Sequence, residues 1–335
     1  MLRIVILIVV TVLLALADGP VLQTGQTKSY NANGDVVPYG SIKDDGYYRA
    51  GRVRSYSHSG DVVIDNATGL AWQDNESIQK KWTEASGDTA AAYCSNLYLY
   101  YNNNYNLDWR LPSIEEIQTL VDYSQVIPSA TEGIFQHIFW DSYYYWSSTT
   151  DAYYTGSAWI VYFYNGYSYY NSKTYNNYVR CVRGGQLTPS NLSRNNMTEI
   201  VTDSATGLQW QDNAIVKSTE RSWIDAINYC ENTLILGGYS DWRLPNANEL
   251  LSIADYSRSE PAINNSVFVN TSSTFSNYYW SSTTYANGTD SAWYVYFNYG
   301  SSNYYYKTGN YYVRCVRGGQ LGHLVNPSII MYLLN

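Results

Sequence analysis

Hydrophobic residues recur at helical spacing early in each half of the chain. In the second half the spacing i, i+3, i+4 and i+7 is filled by Trp223, Ala226, Ile227 and Cys230. These positions share one face of a helix. In the first half the matching stretch runs from Trp82 through an Ala-rich segment to Cys94, with five extra residues between the two. The pattern predicts one helix at the equivalent place in each half.

A second pair of helices is predicted after the motif Trp-Arg-Leu-Pro, which occurs at 109–112 and 242–245. Ser113 with Glu116, and Asn246 with Glu249, occupy N-cap and N3 places just before apolar residues. This spacing is typical of a capping box, with Asn in place of Ser or Thr in the second half.

Strands are predicted around these helices. A turn followed by alternating apolar residues begins each half at 65–75 and 203–213. After the helices, 158–163 with 292–297, and 178–183 with 312–317, have the Tyr, Trp and Val content of strands. This order of two helices followed by several strands occurs in both halves and predicts an α+β architecture.

The end of each half is nearly the same sequence. Residues 141–187 align without a gap on 275–321 at an offset of 134 and differ at 15 positions. These exchanged positions are Asp141/Phe275, Tyr143/Asn277, Asp151/Tyr285, Tyr153/Asn287, Tyr154/Gly288, Gly156/Asp290, Ile160/Tyr294, Tyr164/Asn298, Asn165/Tyr299, Tyr167/Ser301, Tyr169/Asn303, Asn171/Tyr305, Ser172/Tyr306, Tyr175/Gly309 and Asn177/Tyr311.

Every residue at an exchanged position can be encoded by an asparagine codon with one or both adenines replaced. No Lys, Glu, Gln, Met, Trp or Pro occurs among them. Upstream of 141 the two halves differ in an ordinary way, with shifting offsets and substitutions that include Lys and Glu. Copying from one template with changes directed to adenine explains both facts. Independent drift of two Tyr/Asn-rich loops is the alternative.

Composition narrows the class of partner and the compartment. The 335 residues carry a formal net charge of -8 and only 14% charged residues, so nucleic acid is excluded as a partner because it requires a basic footprint. Residues 1–17 predict a cleaved secretory signal, too short for a membrane anchor of about 20 residues. We therefore expect a secreted, periplasmic or cell-surface protein with no stable span after cleavage. The predicted segments are 1–17 signal, 18–60 lead-in, 61–187 first domain, 188–198 linker, 199–321 second domain and 322–335 tail.

Four cysteines occur, two in each half, and an exported chain can keep disulfides. Three connectivities are possible; the repeat favours Cys94–Cys181 and Cys230–Cys315, since each unit is then closed on itself. Metal binding is the weaker alternative because CxxC spacing is missing and the three histidines lie at unrelated places. We predict no metal and no cofactor.

The motifs together resemble the Lcl C-terminal domain family, over most of the mature chain and in both halves. They are Asp-x-x-Thr-Gly-Leu-x-Trp, the helix with Cys94 or Cys230, Trp-Arg-Leu-Pro with a following Glu, Trp-Ser-Ser, and Val-Arg-Cys-Val-Arg. That family takes its name from a collagen-like bacterial adhesin that binds sulfated glycosaminoglycans. The repeated ends also resemble the variable region of proteins diversified by retroelements, which commonly use a C-type-lectin-like fold.

The resemblance implies two tandem C-type-lectin-like domains, each with two helices, a small mostly antiparallel sheet and one disulfide. Two departures limit it. Ser29 and Tyr39 stand where relatives carry a pair of lead-in cysteines, and the chain shows no basic cluster for a glycosaminoglycan.

We expect the exchanged positions to form a binding face, because Tyr offers a large amphipathic contact with few torsions and Asn, Ser and Gly add adaptable polar contacts. The candidate ligand-binding residues are Asp141, Tyr143, Asp151, Tyr153, Tyr154, Tyr164, Asn165, Tyr167, Tyr169, Asn171, Ser172, Tyr175 and Asn177 in the first half, with Asn277, Tyr285, Asn287, Asp290, Tyr294, Asn298, Tyr299, Ser301, Asn303, Tyr305, Tyr306 and Tyr311 in the second. Tyrosines and arginines shared by both halves, such as Tyr162/Tyr296 and Arg180/Arg314, are interpreted as framework.

The predicted function is a non-enzymatic binding protein that presents diversified faces to a protein or glycan ligand. A carbohydrate- or glycosaminoglycan-binding adhesin of fixed specificity is the alternative. An enzyme on a scaffold related to formylglycine-generating proteins is a second alternative. Such an enzyme needs a reactive cysteine, whereas these four are expected to be structural pairs.

Overall fold

The computed structural model describes residues 21–83, 85–101, 104–106, 108–126, 133–137, 144–185, 187, 189–272 and 277–319. The predictions for the signal 1–17, for Asp141 and Tyr143, and for the tail 322–335 lie outside the described residues.

Among those residues the helices are short. They are α1 (Asp45–Tyr48), α2 (Ala90–Ser95), α3 (Ile114–Gln118), α4 (Trp223–Asn228) and α5 (Ala247–Leu251), with a 3-10 turn at Ala214–Lys217 and a π turn at Tyr229–Thr233.

Strands make up most of the regular structure. In chain order they are β1 (Ser29–Tyr30), β2 (Val36–Val37), β3 (Tyr56–Ser59), β4 (Val62–Asp65), β5 (Ala71–Gln73), β6 (Ile78–Lys81), β7 (Leu99–Tyr101), β8 (Asn104–Asn106), β9 (Tyr144–Thr150), β10 (Ser157–Tyr162), β11 (Tyr167–Ser172), β12 (Asn176–Val179), β13 (Val182–Arg183), β14 (Leu192–Asn195), β15 (Ile200–Asp203), β16 (Leu208–Gln211), β17 (Glu220–Arg221), β18 (Tyr278–Thr284), β19 (Ser291–Tyr296), β20 (Ser301–Tyr306), β21 (Tyr311–Tyr312) and β22 (Val316–Gly318).

The two repeats, 61–187 and 199–321, are joined by one ten-stranded sheet in the order β17-β21-β18-β19-β20-β11-β10-β9-β12-β6. Each repeat also has a four-stranded sheet, β13-β5-β4-β3 in the first and β14-β15-β16-β22 in the second. The α+β character and the tandem arrangement are as predicted. A sheet shared by both repeats was not predicted.

The first predicted helix is confirmed in the second repeat and differs in the first. There α4 begins at Trp223 after the N-cap Ser222, and Cys230 lies in the π turn that follows. In the first repeat α2 begins only at Ala90, and Trp82 follows β6 outside the helix, because five more residues separate Trp82 from Cys94 than separate Trp223 from Cys230. Both indoles still take the same place. The Trp82 Nε1 donates to the backbone carbonyl of Ser147 at 2.8 Å, and the Trp223 Nε1 donates to that of Ser281 at 2.9 Å.

The second predicted helix is confirmed in both repeats, together with its capping box. The side chains of Ser113 and Asn246 accept from the N3 backbone, and Glu116 and Glu249 accept from the N-cap backbone. Each glutamate also holds the arginine of the Trp-Arg-Leu-Pro motif in a two-fold hydrogen bond, both distances being 2.6 Å. The motif therefore ties the incoming chain to the helix N-terminus.

The predicted closing strand is split between two sheets. β12 ends at Val179 in the ten-stranded sheet and β13 begins at Val182 in the four-stranded one. The break carries Arg180 and the disulfide cysteine Cys181. The disulfides Cys94–Cys181 and Cys230–Cys315 are those that the repeat favoured.

The shared arginines pair with carboxylates, as predicted. The pairs are Arg180–Asp74 at 3.3 Å, Arg314–Asp212 at 2.8 Å, Arg183–Asp108 at 2.8 Å and Arg317–Asp241 at 2.7 Å.

The two repeats meet about an approximate two-fold axis between equivalent serines. Ser168 and Ser302, which differ by the repeat offset of 134, are paired across β11 and β20. Each backbone N–H donates to the other hydroxyl at 3.1 and 3.2 Å, and the two hydroxyl oxygens lie 3.0 Å apart. The junction is thus made by the same residue from both repeats.

Behind this junction the repeats exchange aromatic contacts. Tyr123 packs edge-on against Trp293 at 4.9 Å, and the equivalent Tyr256 packs edge-on against Trp159 at 5.0 Å. The Tyr256 hydroxyl is also hydrogen-bonded to Gln118 of the first repeat. One hydrophobic cluster contains buried residues of both repeats, so the two domains share a core.

The lead-in precedes the first repeat but also packs on the second. The Gln26 side chain makes two 3.0 Å hydrogen bonds with the backbone of Thr284, and Thr283 donates to the buried Asp45 carboxylate at 2.8 Å. The ends of the lead-in and of the linker are not irregular, since β3 pairs with β4 and β14 pairs with β15. Both segments therefore contribute an edge strand to the following domain.

Candidate ligand-binding face

The two sides of the ten-stranded sheet differ in what covers them. Its inner face carries Tyr145, Trp159, Val161, Ser168, Tyr170 and Tyr178, with Tyr279, Trp293, Val295, Ser302, Tyr304 and Tyr312 from the second repeat, and most of these belong to the shared core. The outer face carries Tyr144, Trp146, Ala158, Ile160, Tyr162, Tyr167, Tyr169, Asn171 and Asn177, with Tyr278, Trp280, Ala292, Tyr294, Tyr296, Ser301, Asn303, Tyr305 and Tyr311.

Within the strands, the exchanged positions lie almost entirely on one face of the sheet. All six residue pairs of the inner face are identical between the repeats. The outer face contains the exchanged pairs Ile160/Tyr294, Tyr167/Ser301, Tyr169/Asn303, Asn171/Tyr305 and Asn177/Tyr311. Side chains alternate between faces along a strand, so this distribution follows the pleat. Ser172/Tyr306 breaks the alternation, at the strand end where Tyr306 is 58% exposed.

Short helices cover only the lateral parts of the outer face. In the first repeat α2 packs with Trp146, Ile160 and Val179 around the disulfide, and α4 does the same in the second. The two strands at the junction, β11 and β20, carry the most exposed outer-face residues, with Tyr169 47% and Tyr305 50% exposed. The open part of the outer face therefore lies over the junction of the repeats.

Tyrosines on the outer face pack against one another. Tyr162 stacks on Tyr144 with ring centroids 4.4 Å apart, and the equivalent Tyr296 stacks on Tyr278 at the same distance. Tyr311 contacts both Tyr278 and Tyr294 at 5.2 Å. The shared Tyr162 and Tyr296 were interpreted as framework only, yet they lie in the middle of this face. Their pairing with exchanged residues on the neighbouring strands could have indicated that they belong to this face.

Packing disfavours the ionised form of several hydroxyl groups on the outer face. Burial, reinforced by neighbouring tyrosines, raises the pKa of Tyr167, Tyr294 and Tyr311 above the ordinary value. A tyrosine hydroxyl is already neutral at physiological pH, and these groups act as hydrogen-bond donors and acceptors.

The other candidate residues divide by exposure. Exposed or half-exposed are Tyr153, Tyr154, Tyr164, Tyr167, Tyr169, Asn171, Ser172, Tyr175, Asn287, Asp290, Tyr294, Tyr299, Asn303, Tyr305, Tyr306 and Tyr311. Buried are Asp151, Asn165, Asn177, Asn277, Tyr285, Asn298 and Ser301. At these seven positions the expectation of a side chain directed to solvent is wrong.

The buried positions have local structural partners. The Asp151 carboxylate accepts from the backbone N–H groups of Tyr153 and Tyr154, and burial raises its pKa. The Asn277 amide donates to Asn298 at 3.4 Å, and Asn298 donates to the Tyr296 hydroxyl at 3.0 Å. Short polar side chains at these places satisfy turn backbone and neighbouring hydroxyls.

Some exchanged residues connect the two repeats. At one end of the junction Tyr153 packs edge-on against Tyr299 at 5.3 Å. At the other end the side-chain amides of Asn165 and Asn287 hydrogen-bond to the Tyr285 hydroxyl, and burial raises the pKa of Tyr285 to about 12. Tyr285 is stacked on Tyr304 with centroids 3.6 Å apart. These loops therefore place the two halves of the outer face relative to each other.

Comparison with protein-family models decides the identity of the repeats. The model of the Lcl C-terminal domain matches residues 61–183 and again 199–317. The chain belongs to the Lcl C-terminal domain family. No curated protein matches it. The two family domains coincide with the two repeats, and their last matched residues lie in β13 and β22.

Within the part of the chain that the structure describes, no helix has the length and apolar content to cross a bilayer. The same residues include no group of three or more His, Cys, Asp or Glu placed to hold a metal ion.

Proposed function

We propose that this protein is an exported, non-enzymatic binding protein whose diversified Tyr/Asn-rich outer face engages a ligand outside the cytoplasm. One observation carries the proposal. Within the strands, exchanged residues lie on the outer face, apart from the strand-end pair Ser172/Tyr306, while the inner face is identical in both repeats. The inner face is kept where it packs in the shared core, and the varied outer-face positions include the exposed residues Tyr169, Asn303 and Tyr305.

The chemistry of the varied residues supports binding. Tyrosine buries a large area while only two side-chain torsions become ordered, and Asn and Ser can both donate and accept hydrogen bonds. Such residues suit a surface that must fit different partners. The lectin-like character of the domains and the retroelement origin of the exchanges belong to the same proposal.

Sequencing tails from several isolates, together with the neighbouring DNA, tests the proposal. We expect substitutions to concentrate at the exchanged positions, with inner-face residues such as Trp159 and Trp293 unchanged. A nearby reverse transcriptase gene and a template copy with AAC or AAT at the exchanged codons are expected. Tails that do not vary would instead favour an adhesin of fixed specificity.

A further inference from the structure

Exchanged residues of different repeats lie side by side at the centre of the outer face. Because Ser168 is opposite Ser302 in an antiparallel pair, Tyr167 falls opposite Asn303 and Tyr169 falls opposite Ser301. Side chains directly opposite on neighbouring strands are about 5 Å apart at Cβ. All four are exchanged positions, and they come from two separate parts of the chain.

We propose that the two outer-face halves form one composite site that binds a single protein partner across the junction. This inference rests on the proposed function and specifies its ligand class and its stoichiometry. The faces are joined by continuous sheet, and the contacts of Tyr153 with Tyr299 and of Asn165 with Tyr285 fix their relative position.

The dimensions of the sheet favour one large site over two small ones. Three strands of one repeat span roughly 14 Å by 20 Å, or roughly 300 Å² of sheet, at the usual spacings. A standard protein interface uses about 800 Å² on each partner. Part of this area is closed, because Trp146, Ala158 and Ile160 are buried in the lateral cluster around the disulfide. One repeat therefore provides well under half of a standard interface, and a site that uses both repeats comes closer to it.

Ring packing favours a protein over a glycan. The ring of Tyr162 is stacked on both Tyr144 at 4.4 Å and Tyr164 at 5.6 Å, and the ring of Tyr296 is stacked on Tyr278 at 4.4 Å. A sugar platform requires an open ring face, whereas a protein surface can pack against ring edges and hydroxyl groups. The stacked tyrosines therefore present the chemistry of an antibody-like contact surface.

The test uses the full mature chain on two named probes: a printed array of purified cell-surface protein ectodomains and a printed glycan array. Any spot bound is measured in solution with single variants Tyr169→Ala in the first repeat and Tyr305→Ala in the second. Tyr100→Ala is the control, since Tyr100 is an exposed tyrosine (54%) on the β7–β8 hairpin, outside this sheet.

We expect one ectodomain to bind at a 1:1 ratio, with each face variant weakening affinity at least tenfold and the control leaving it unchanged. Two equal sites, of which each variant removes one and leaves the other intact, would overturn the composite site but keep the proposed function. Binding to glycan spots alone, through the same tyrosines, overturns the protein partner and keeps the proposed function. An absence of face-dependent binding on both arrays overturns both.

Discussion

The same residues have different surroundings in the two repeats. Thr283 and Thr284 are fully buried under the lead-in, whereas their equivalents Thr149 and Thr150 are half-exposed. Burial lowers the pKa of Lys307 to about 7, and it lowers that of the more exposed Lys173 as well. Each lysine still packs over a tryptophan, at 4.0 and 4.1 Å. The repeated sequence thus gives the same local contacts in both repeats. The burial of a residue and the pKa of its side chain depend instead on which other segments of the chain cover it.

The largest expected difference between the repeats concerns their arginine–glutamate pairs. Arg243 and Glu249 are 3% and 2% exposed, while Arg110 is 35% exposed. Arg243→Met leaves a buried carboxylate unpaired, which costs about 3–5 kcal/mol. Arg110→Met should cost less because the Arg110 guanidinium is partly exposed and water already screens its pairing with Glu116, although the Glu116 carboxylate is itself 3% exposed. Urea unfolding of both variants measures the loss in free energy of unfolding. Equal losses would show that the lead-in does not determine the difference between the two pairs.

The lead-in also introduces a pH dependence of its own. Burial raises the pKa of Asp45 from 3.8 to about 7. A carboxyl with a raised folded pKa stabilises the fold in its protonated form, fully below pH 3.8, and that stabilisation is lost as pH rises to about 7. Asp45→Asn should therefore gain stability relative to the native chain between pH 4 and 7, by up to about 1.4 kcal/mol per pH unit.

Urea midpoints for both chains at pH 4.5, 6 and 7.5 measure that slope. A constant difference between them at all three values would contradict a buried, protonated Asp45.

The junction should show a smaller coupling at one pair of exchanged residues. The edge-on contact of Tyr153 with Tyr299 predicts a coupling of about 0.5 kcal/mol, the lower end for aromatic pairs because Tyr153 is partly exposed. A double-mutant cycle with Tyr153→Ala and Tyr299→Ala measures it. Additive effects would mean that these loops do not hold the repeats together.

The smallest effects are expected on the outer face. Tyr169→Ser and Tyr305→Ser should change the free energy of unfolding by no more than about 0.5 kcal/mol, as for most surface substitutions. The inner-face control Trp293→Ala should cost about 3–5 kcal/mol because its side chain is buried in the shared core. Thermal unfolding of the three variants compares them. A large loss of stability in Tyr169→Ser would indicate that the outer face stabilises the fold.

Much of the local structure could be predicted because its causes are local. The capping boxes at Ser113 and Asn246 depend on residues three positions apart, and the repeated cysteines favoured one disulfide in each domain. The start of α2 could not be placed, since the loop after Trp82 keeps that indole at the Ser147 carbonyl without a helix. The Tyr, Asn and Ser content of the exchanged positions predicted a variable face, but turns such as those at Asp151 and Asn298 bury their polar side chains.

The sequence by itself determined the two repeats, their disulfides and capped helices, and the identity of the exchanged residues, because these depend on spacing and on comparison of one copy with the other. Only the tertiary structure decided that the copies share a sheet and a core, that the lead-in lies on the second repeat, and which exchanged residues are accessible. Those features depend on contacts between residues more than a hundred positions apart, such as Ser168 with Ser302, and no periodicity within a segment specifies them.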